Sequence, residues 1–208
     1  MSAAPEPLDV YDVDFYARHN IPNGTAYRLG LEAARLFHPS SAIDIGCATG
    51  NLLKGLLDAG LTWDVLAGVD HPDLIPRIRA AGWQADKVPL LEFALDRPFP
   101  HPPAFADGGW GLVACTETGE HIPAEHSEQL VDLIVRTVAP SGRILWSAAI
   151  EGQEGTGHVN CRPLEFWEDL FRARGFHGND AETAELLVRA PPSSNEPWYQ
   201  RVRVLRRS

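Results

Sequence analysis

Short apolar runs alternate with amphipathic helical patterns along most of the chain, and this alternation restricts the fold more than any other feature. Ala42 to Ile45, Val65 to Val69, Leu112 to Cys115, Ile144 to Ala149 and Val202 to Leu205 have strand length. Most of them lack a polar alternation, which is the pattern of strands buried on both faces. Helical patterns lie between them at Thr25 to Phe37, Leu52 to Ala59, Asp73 to Ala81, His126 to Ala139 and Pro163 to Arg174. Leu130, Ile134 and Val138 share one face of the fourth, and Leu164, Trp167, Leu170 and Phe171 one face of the fifth, so each has an apolar side to lay on a sheet. Pro163 suits a first helical turn, and Gly175 suits a left-handed C-terminal cap. The expectation is a doubly wound α/β fold with a mainly parallel sheet and right-handed crossovers. The 208 residues, 44% of them hydrophobic, are enough for one domain with a substantial core.

Charge and cysteine usage narrow the function classes. A formal charge of −10 opposes partners bound through phosphate neutralisation, and the basic residues Arg201, Arg203, Arg206 and Arg207 read as the solvated end of a last strand. Cys47, Cys115 and Cys161 are far apart and lack the paired spacing of a zinc site or a disulfide framework, which leaves them as reduced thiols in packing roles. No run of about eighteen apolar residues occurs, and the first residues are acidic and proline-containing rather than signal-like. These features predict a cytoplasmic protein with a small-molecule substrate, without nucleic-acid or membrane partners.

The segment Ser41-Ala-Ile-Asp-Ile-Gly-Cys-Ala-Thr-Gly-Asn51 reads as a buried strand that turns through two glycines into a helix. Gly46 and Gly50 permit positive φ and close approach of a ligand to the backbone. A dinucleotide site would have Gly-x-Gly-x-x-Gly around a pyrophosphate, whereas the spacing here is Gly46-x-x-x-Gly50 with Asp44 just ahead. A carboxylate so placed repels a phosphate and suits a cationic ligand.

These residues resemble the first motif of the class I S-adenosylmethionine methyltransferases, Asp-x-Gly-x-Gly-x-Gly, with Ala48 in place of the central glycine. The resemblance implies a Rossmann-like sheet of seven strands and S-adenosyl-L-methionine as cofactor, held by Asp44, Gly46, Cys47, Ala48 and Gly50. A second acid is then expected at the end of the next strand to accept from the ribose hydroxyls, and Asp70 stands about twenty-five residues after Asp44. A third polar position, after the third strand, contacts adenine in the family; Asp86 matches it loosely.

The fourth apolar run leads into Cys115-Thr-Glu-Thr-Gly-Glu-His-Ile-Pro123, at the sheet edge where open α/β folds keep their ligands. In a helical turn Glu117, Glu120 and His121 would share a face and could converge on one divalent ion. His158 follows in a glycine-rich loop that overhangs the same edge. The set resembles the metal site of the small-RNA terminal 2′-O-methyltransferases, and the ubiquinone-pathway O-methyltransferases have a comparable segment. By that resemblance Glu117, Glu120, His121 and His158 hold Mg2+ or Mn2+, with Glu117 beside the cofactor. The ion acidifies an acceptor hydroxyl. A metal-free reading stays open at this stage, with His121 and Glu120 as catalytic residues and His121 as general base.

Nearly the whole chain is similar to a bacterial group of small methyltransferases, through Phe15-Tyr-Ala-Arg-His-Asn20, Ser147-Ala-Ala-Ile-Glu-Gly-Gln153, Gly157-His-Val-Asn160 and Pro197-Trp-Tyr199. The resulting expectation is one domain over residues 1–208, with 1–38 as a helical extension above the cofactor. Tyr16, His19 and Tyr27 are then candidates for the pocket wall. The expected reaction is O-methylation of a hydroxylated small molecule, sugar or diol-like. The rivals are metal-free N- or O-methylation and RNA terminal 2′-O-methylation.

Overall fold

The computed structural model describes residues 8–85, 87–95, 99, 108–194 and 196–208. Seven strands, Ala42–Ile45 (β1), Leu66–Asp70 (β2), Leu90–Glu92 (β3), Trp110–Thr116 (β4), Val138–Ser147 (β5), Phe176–Gly178 (β6) and Arg203–Arg207 (β7), form one sheet in the order β3-β2-β1-β4-β5-β7-β6. β1, β2, β3, β4 and β5 pair in parallel, and β7 runs antiparallel to both β5 and β6. The chain winds outward in opposite senses on the two sides of β1. The crevice at the carboxyl ends of β1, β2 and β4 is therefore the place where such a sheet admits a ligand.

Helices Val13–His19 (α1), Thr25–Phe37 (α2), Asn51–Asp58 (α3), Ile75–Gly82 (α4), Ser127–Thr137 (α5), Leu164–Arg172 (α6) and Asp180–Arg189 (α7) cover the sheet. On one face Leu29, Leu53, Leu56 and Leu186 from α2, α3 and α7 pack on Ala42, Leu112 and Leu145. On the other, Leu130, Ile134, Trp167 and Phe171 from α5 and α6 meet Ile43, Val113 and Trp146. β1 and β2 are buried at every position, their acids Asp44 and Asp70 included, as strands covered on both faces are. Asp12 caps α1 by accepting from the Phe15 N–H at 2.7 Å, and Asn179 caps α7 through the Glu182 N–H at 3.1 Å.

The helical period through Leu130, Ile134 and Val138 overshoots: α5 stops at Thr137, and Val138 already pairs with Trp110. Pro140 explains the stop, because the residue before a proline is pushed out of the helical region. Gly175 takes φ +79 between α6 and β6, as its cap position requires. Among the described residues no helix is long and apolar enough to cross a membrane. All three cysteines are free, with Cys47 and Cys115 buried.

Candidate functional site

The turn after β1 is left-handed at Gly46 (φ +74), Ala48 (+45) and Gly50 (+79) before α3 begins. The N–H groups of Gly46 and Cys47 both donate to the Val69 carbonyl, at 2.8 and 3.1 Å, which ties the turn to β2. A Cβ on Gly46 would lie 2.2 Å from Thr118 Oγ1, and that hydroxyl is itself fixed by donating to the Ile45 carbonyl. Alanine at 48 keeps the left-handed backbone at some strain, and its N–H donates to Asp70 Oδ2 at 3.0 Å. Asp70 Oδ1 accepts from the His71 N–H at 2.8 Å, so the acid at the end of β2 holds the turn in shape. Burial raises the Asp70 pKa, and these two N–H donors oppose the rise.

Asp44 is buried in β1, and its pKa rises from 3.8 to about 8, first through burial and then through the charge of Asp70. At neutral pH it is mostly protonated, and a cation brought next to it would restore the carboxylate. Asp86 lies outside the described residues. In sequence it precedes β3, whereas the resemblance places the adenine contact after the third strand. The residue there is Phe93, whose N–H donates to the Asp70 carbonyl at 2.7 Å and whose side chain faces the cavity described below.

After β4, Glu117 takes φ +51, and Gly119–His121 forms a single 3₁₀ turn rather than the α-helical turn expected from the spacing. The tighter turn drives Glu120 fully inside. The Glu120 carbonyl accepts from the N–H groups of Val159 and Asn160, both at 2.9 Å, and these bonds bring the 157–160 segment over it. Ligand-type atoms of Glu120, His121 and His158 then lie within 4.8 Å of one another. Atoms bound to one divalent ion stand about 3 to 4 Å apart, so the three groups need close in by only about an ångström.

Hydrogen bonds set the form of both imidazoles. His121 Nδ1 is 3.1 Å from the Gly157 carbonyl and His158 Nδ1 is 3.3 Å from the Gln153 carbonyl. A carbonyl only accepts, so each Nδ1 carries a proton, and in the neutral ring each Nε2 keeps a free lone pair. Second-shell carbonyls orient metal-binding histidines in this manner. Tyr11 Oη lies 2.9 Å from the same His121 Nδ1. Burial, with a smaller contribution from the neighbouring His158 ring, lowers the His121 pKa to about 4, although the Gly157 bond works the other way. Neither Glu120 oxygen has a hydrogen-bond partner among the described residues; Oε1 is 3.9 Å from His158 Nε2. Burial and the nearby Glu117 charge raise the Glu120 pKa to about 8. A buried carboxyl without partners, facing two imidazole lone pairs, fits a divalent ion.

Glu117 lies beside Glu120, whose pKa its charge raises, but outside the set of three. Its Oε2 accepts from Gln153 Nε2 at 3.3 Å and lies 3.9 Å from Arg201, which also donates to Gln153. Its Oε1 is buried without a hydrogen-bond partner among the described residues. Arg201 is thus part of the site, whereas Arg203 and Arg206 pair with Glu168 and Glu182.

A cavity of about 800 Å3 separates the two halves. Gly46, Ala48 and Asp70 border it on one side, and Glu117, His121 and Gly157 on the other. Asp44, Cys47, Gly50, Glu120 and His158 stand behind its walls rather than on them. Its roof is Tyr11, Phe15 and Tyr16. Of the three wall candidates from the sequence, Tyr16 is there, but His19 bonds back to its own helix and Tyr27 reaches Asp58 on the outside. The roof is therefore α1 and the turn before it. α2 packs on α3 instead. Tyr11, Gln153 and Arg201 lie at distances in sequence that no motif spacing announces.

No protein-family model matches the sequence, and no curated protein matches it. Solved structures do. A chain of the complex between the Haloferax volcanii Trm112 methyltransferase activator and its candidate methyltransferase aligns with a TM-score of 0.63 at 17% identity, over 85% of this chain and 78% of that one. The O-methyltransferase NcsB1 from neocarzinostatin biosynthesis, solved with S-adenosyl-L-homocysteine and 1,4-dihydroxy-2-naphthoic acid, gives 0.55 at 14% identity, over 81% of this chain. A pericyclic reaction enzyme gives 0.54 at 14%, also over 81%. The chain spans about half the length of these last two, 49% and 43%. A shared fold does not fix the reaction, as the third neighbour illustrates. In sheet order, in the turn after β1 and in its structural neighbours, the chain has the Rossmann-like α/β fold of the class I S-adenosylmethionine-dependent methyltransferases.

Proposed function

We propose that the protein transfers a methyl group from S-adenosylmethionine to an oxygen of a hydroxylated small molecule, with a divalent cation held by Glu120, His121 and His158. The observation that carries this reading is the juxtaposition, across one cavity, of a cation-seeking turn and a buried group of one carboxyl and two imidazole lone pairs. We read residues 1–208 as one domain, with the roof supplied by α1 and the turn before it.

Each group then has a task. Asp70 stands where it accepts from ribose hydroxyls while holding the turn, and the turn's backbone faces the methionine end. Asp44 answers the positive charge of the cofactor. Mg2+ or Mn2+, when bound, would make an acceptor hydroxyl more acidic. Gly157 and Tyr11 hold His121 in the form that leaves Nε2 free. The methyl is already activated by the sulfonium, so alignment of acceptor and methyl supplies much of the rate.

Two rivals fit less well. As a metal-free base, His121 would have a conjugate acid of pKa about 4, too weak a base to draw a proton from an alcohol efficiently. RNA would meet a protein of charge −10. The test is titration of Mn2+ into metal-free protein followed by electron paramagnetic resonance, together with methyl-transfer assays in chelator. We expect one bound ion, lost in Glu120→Gln, and activity removed by chelator and restored by magnesium or manganese. Full activity in chelator refutes the metal site.

A further inference from the structure

The cavity wall also constrains the acceptor. Among the described residues that wall contains no lysine or arginine, and its carboxylates are those of Asp70 and Glu117. Apart from a divalent ion at the Glu120 group, a phosphate or carboxylate on the acceptor would find like charge and no lysine or arginine to pair with. The polar groups that face the methyl-transfer end are few. Glu117, Thr118 and His121 are there, the Thr118 hydroxyl already donating to the Ile45 carbonyl, and His126 and Gln129 at the rim are already bonded to each other at 2.7 Å. The rest of that end is Tyr11, Phe15, Ile122 and Val159.

The aromatic rings form a continuous set. Tyr11 meets Phe15 edge to face, centroids 5.2 Å apart at 87°, and meets His121 at 5.7 Å and 86°. Phe15 meets Tyr16 at 5.3 Å and 86°. Such a wall offers both ring faces and ring edges to a further arene. A sugar brings several hydroxyls, and most of them would be buried against carbon without partners.

From these contacts we infer that the acceptor is an uncharged aromatic alcohol, a phenol or naphthol, rather than a sugar, a phosphorylated sugar or a nucleic-acid terminus. Its hydroxyl lies toward Glu117 and His121, and its ring lies against Tyr11 and Phe15. The reaction joins the phenol oxygen to the methyl carbon as the carbon–sulfur bond breaks. The electron pair of that bond goes to sulfur, giving S-adenosylhomocysteine, and the phenol proton leaves to a base or solvent.

The inference rests on the oxygen-transfer reading, and a two-part experiment separates their failures. In the first part, β-naphthol, mannose and glucose phosphate are each titrated calorimetrically into full-length protein saturated with S-adenosylhomocysteine and Mn2+. We expect β-naphthol to bind at least about tenfold more tightly than either carbohydrate. Phe15→Leu should weaken β-naphthol several-fold and leave mannose unchanged. Mannose or glucose phosphate binding as tightly as β-naphthol overturns the inference, and so does an unchanged β-naphthol affinity in the variant. In the second part an aminonaphthol is incubated with S-adenosylmethionine, and the methylated atom is located by mass spectrometry and nuclear magnetic resonance. A methyl on oxygen agrees with both readings. A methyl on nitrogen alone refutes oxygen transfer and leaves the aromatic acceptor standing.

Discussion

Replacing Asp44 by asparagine removes a charge that the fold resists and that the proposed sulfonium cofactor would require, so the variant should gain stability and lose binding. The folded protein holds this carboxyl protonated up to about pH 8, against 3.8 for the ordinary group. Its stabilising contribution is complete below 3.8, declines as pH rises toward 8 and is gone above that. At pH 7 the cost is about 1.36 kcal/mol for each of about three pH units, a ceiling of about 4 kcal/mol. Asparagine has nearly the same shape and no such cost. For a chain of this size each kcal/mol is worth roughly 2 to 4 °C, so Asp44→Asn should melt several degrees higher at pH 8 and almost level with the parent at pH 4. In the parent, about nine in ten molecules must release a proton before the carboxylate meets a cation at pH 7. Affinity for S-adenosylmethionine should therefore rise about tenfold or more from pH 6 to 8, and this slope should vanish in the variant along with most of the binding. Melting curves by scanning calorimetry and titrations across this pH range provide the measurement. An asparagine variant that melts at or below the parent temperature at pH 8, or that keeps the parent's binding slope, refutes the reasoning.

Three further perturbations test the neighbouring groups. Gly46→Ala places a Cβ 2.2 Å from Thr118 Oγ1 at φ +74, and we expect S-adenosylhomocysteine affinity to fall by at least about tenfold while Mn2+ binding persists. Gly157→Ala puts its Cβ 1.5 Å from Tyr11 Oη, so the roof must move off His121; Mn2+ affinity and turnover should both drop, and unchanged values would mean that Tyr11 has no hold on the site. Tyr11→Phe keeps the ring and removes only the hydroxyl 2.9 Å from His121 Nδ1. A loss of about tenfold in Mn2+ affinity, with an unchanged melting temperature, marks a positioning role, whereas a lower melting temperature with intact Mn2+ binding marks a structural one.

Local sequence carried much of this architecture. β1 and α2 occupy the spans predicted from the sequence pattern, because both are bounded by strong signals: a four-residue run, apolar except for Asp44, before Gly46, and a thirteen-residue amphipathic period before His38. β3 and β6 were not legible. Each has three residues, and their strand geometry comes from pairing with β2 and β7 rather than from their own composition. α1 and α7 were missed because few of their residues are buried: Tyr16 in the first, Thr183 and Leu186 in the second. At the site, Glu120, His121 and His158 were visible as residue types, but the 3₁₀ turn that carries Glu120 inside was not. That turn depends on the left-handed backbone at Glu117 and on bonds from residues 159 and 160. Tyr11 and Arg201 arrive from opposite ends of the chain, and their place near Glu117 and His121 is a property of the tertiary structure only.

The two sides of the cavity share one physical design. Asp44 behind the turn and Glu120 behind the histidines are both buried, and both have pKa values raised to about 8. No lysine or arginine on the cavity wall, among the described residues, offsets either of them. A carboxyl held in this way opposes folding at neutral pH, and the cost is relieved only when a cation settles beside it. The turn would receive its cation from the cofactor, and the Glu120 group from a divalent ion. Each ligand would therefore stabilise the fold by converting a protonated buried acid into a paired carboxylate, with release of a proton. It follows that the two should bind independently in proton count but add in stability, about one proton released per ligand near pH 7. Calorimetry of each ligand in buffers of different ionisation enthalpy measures this directly. Release by S-adenosylmethionine but not by Mn2+ would leave the turn as the only site built on this principle.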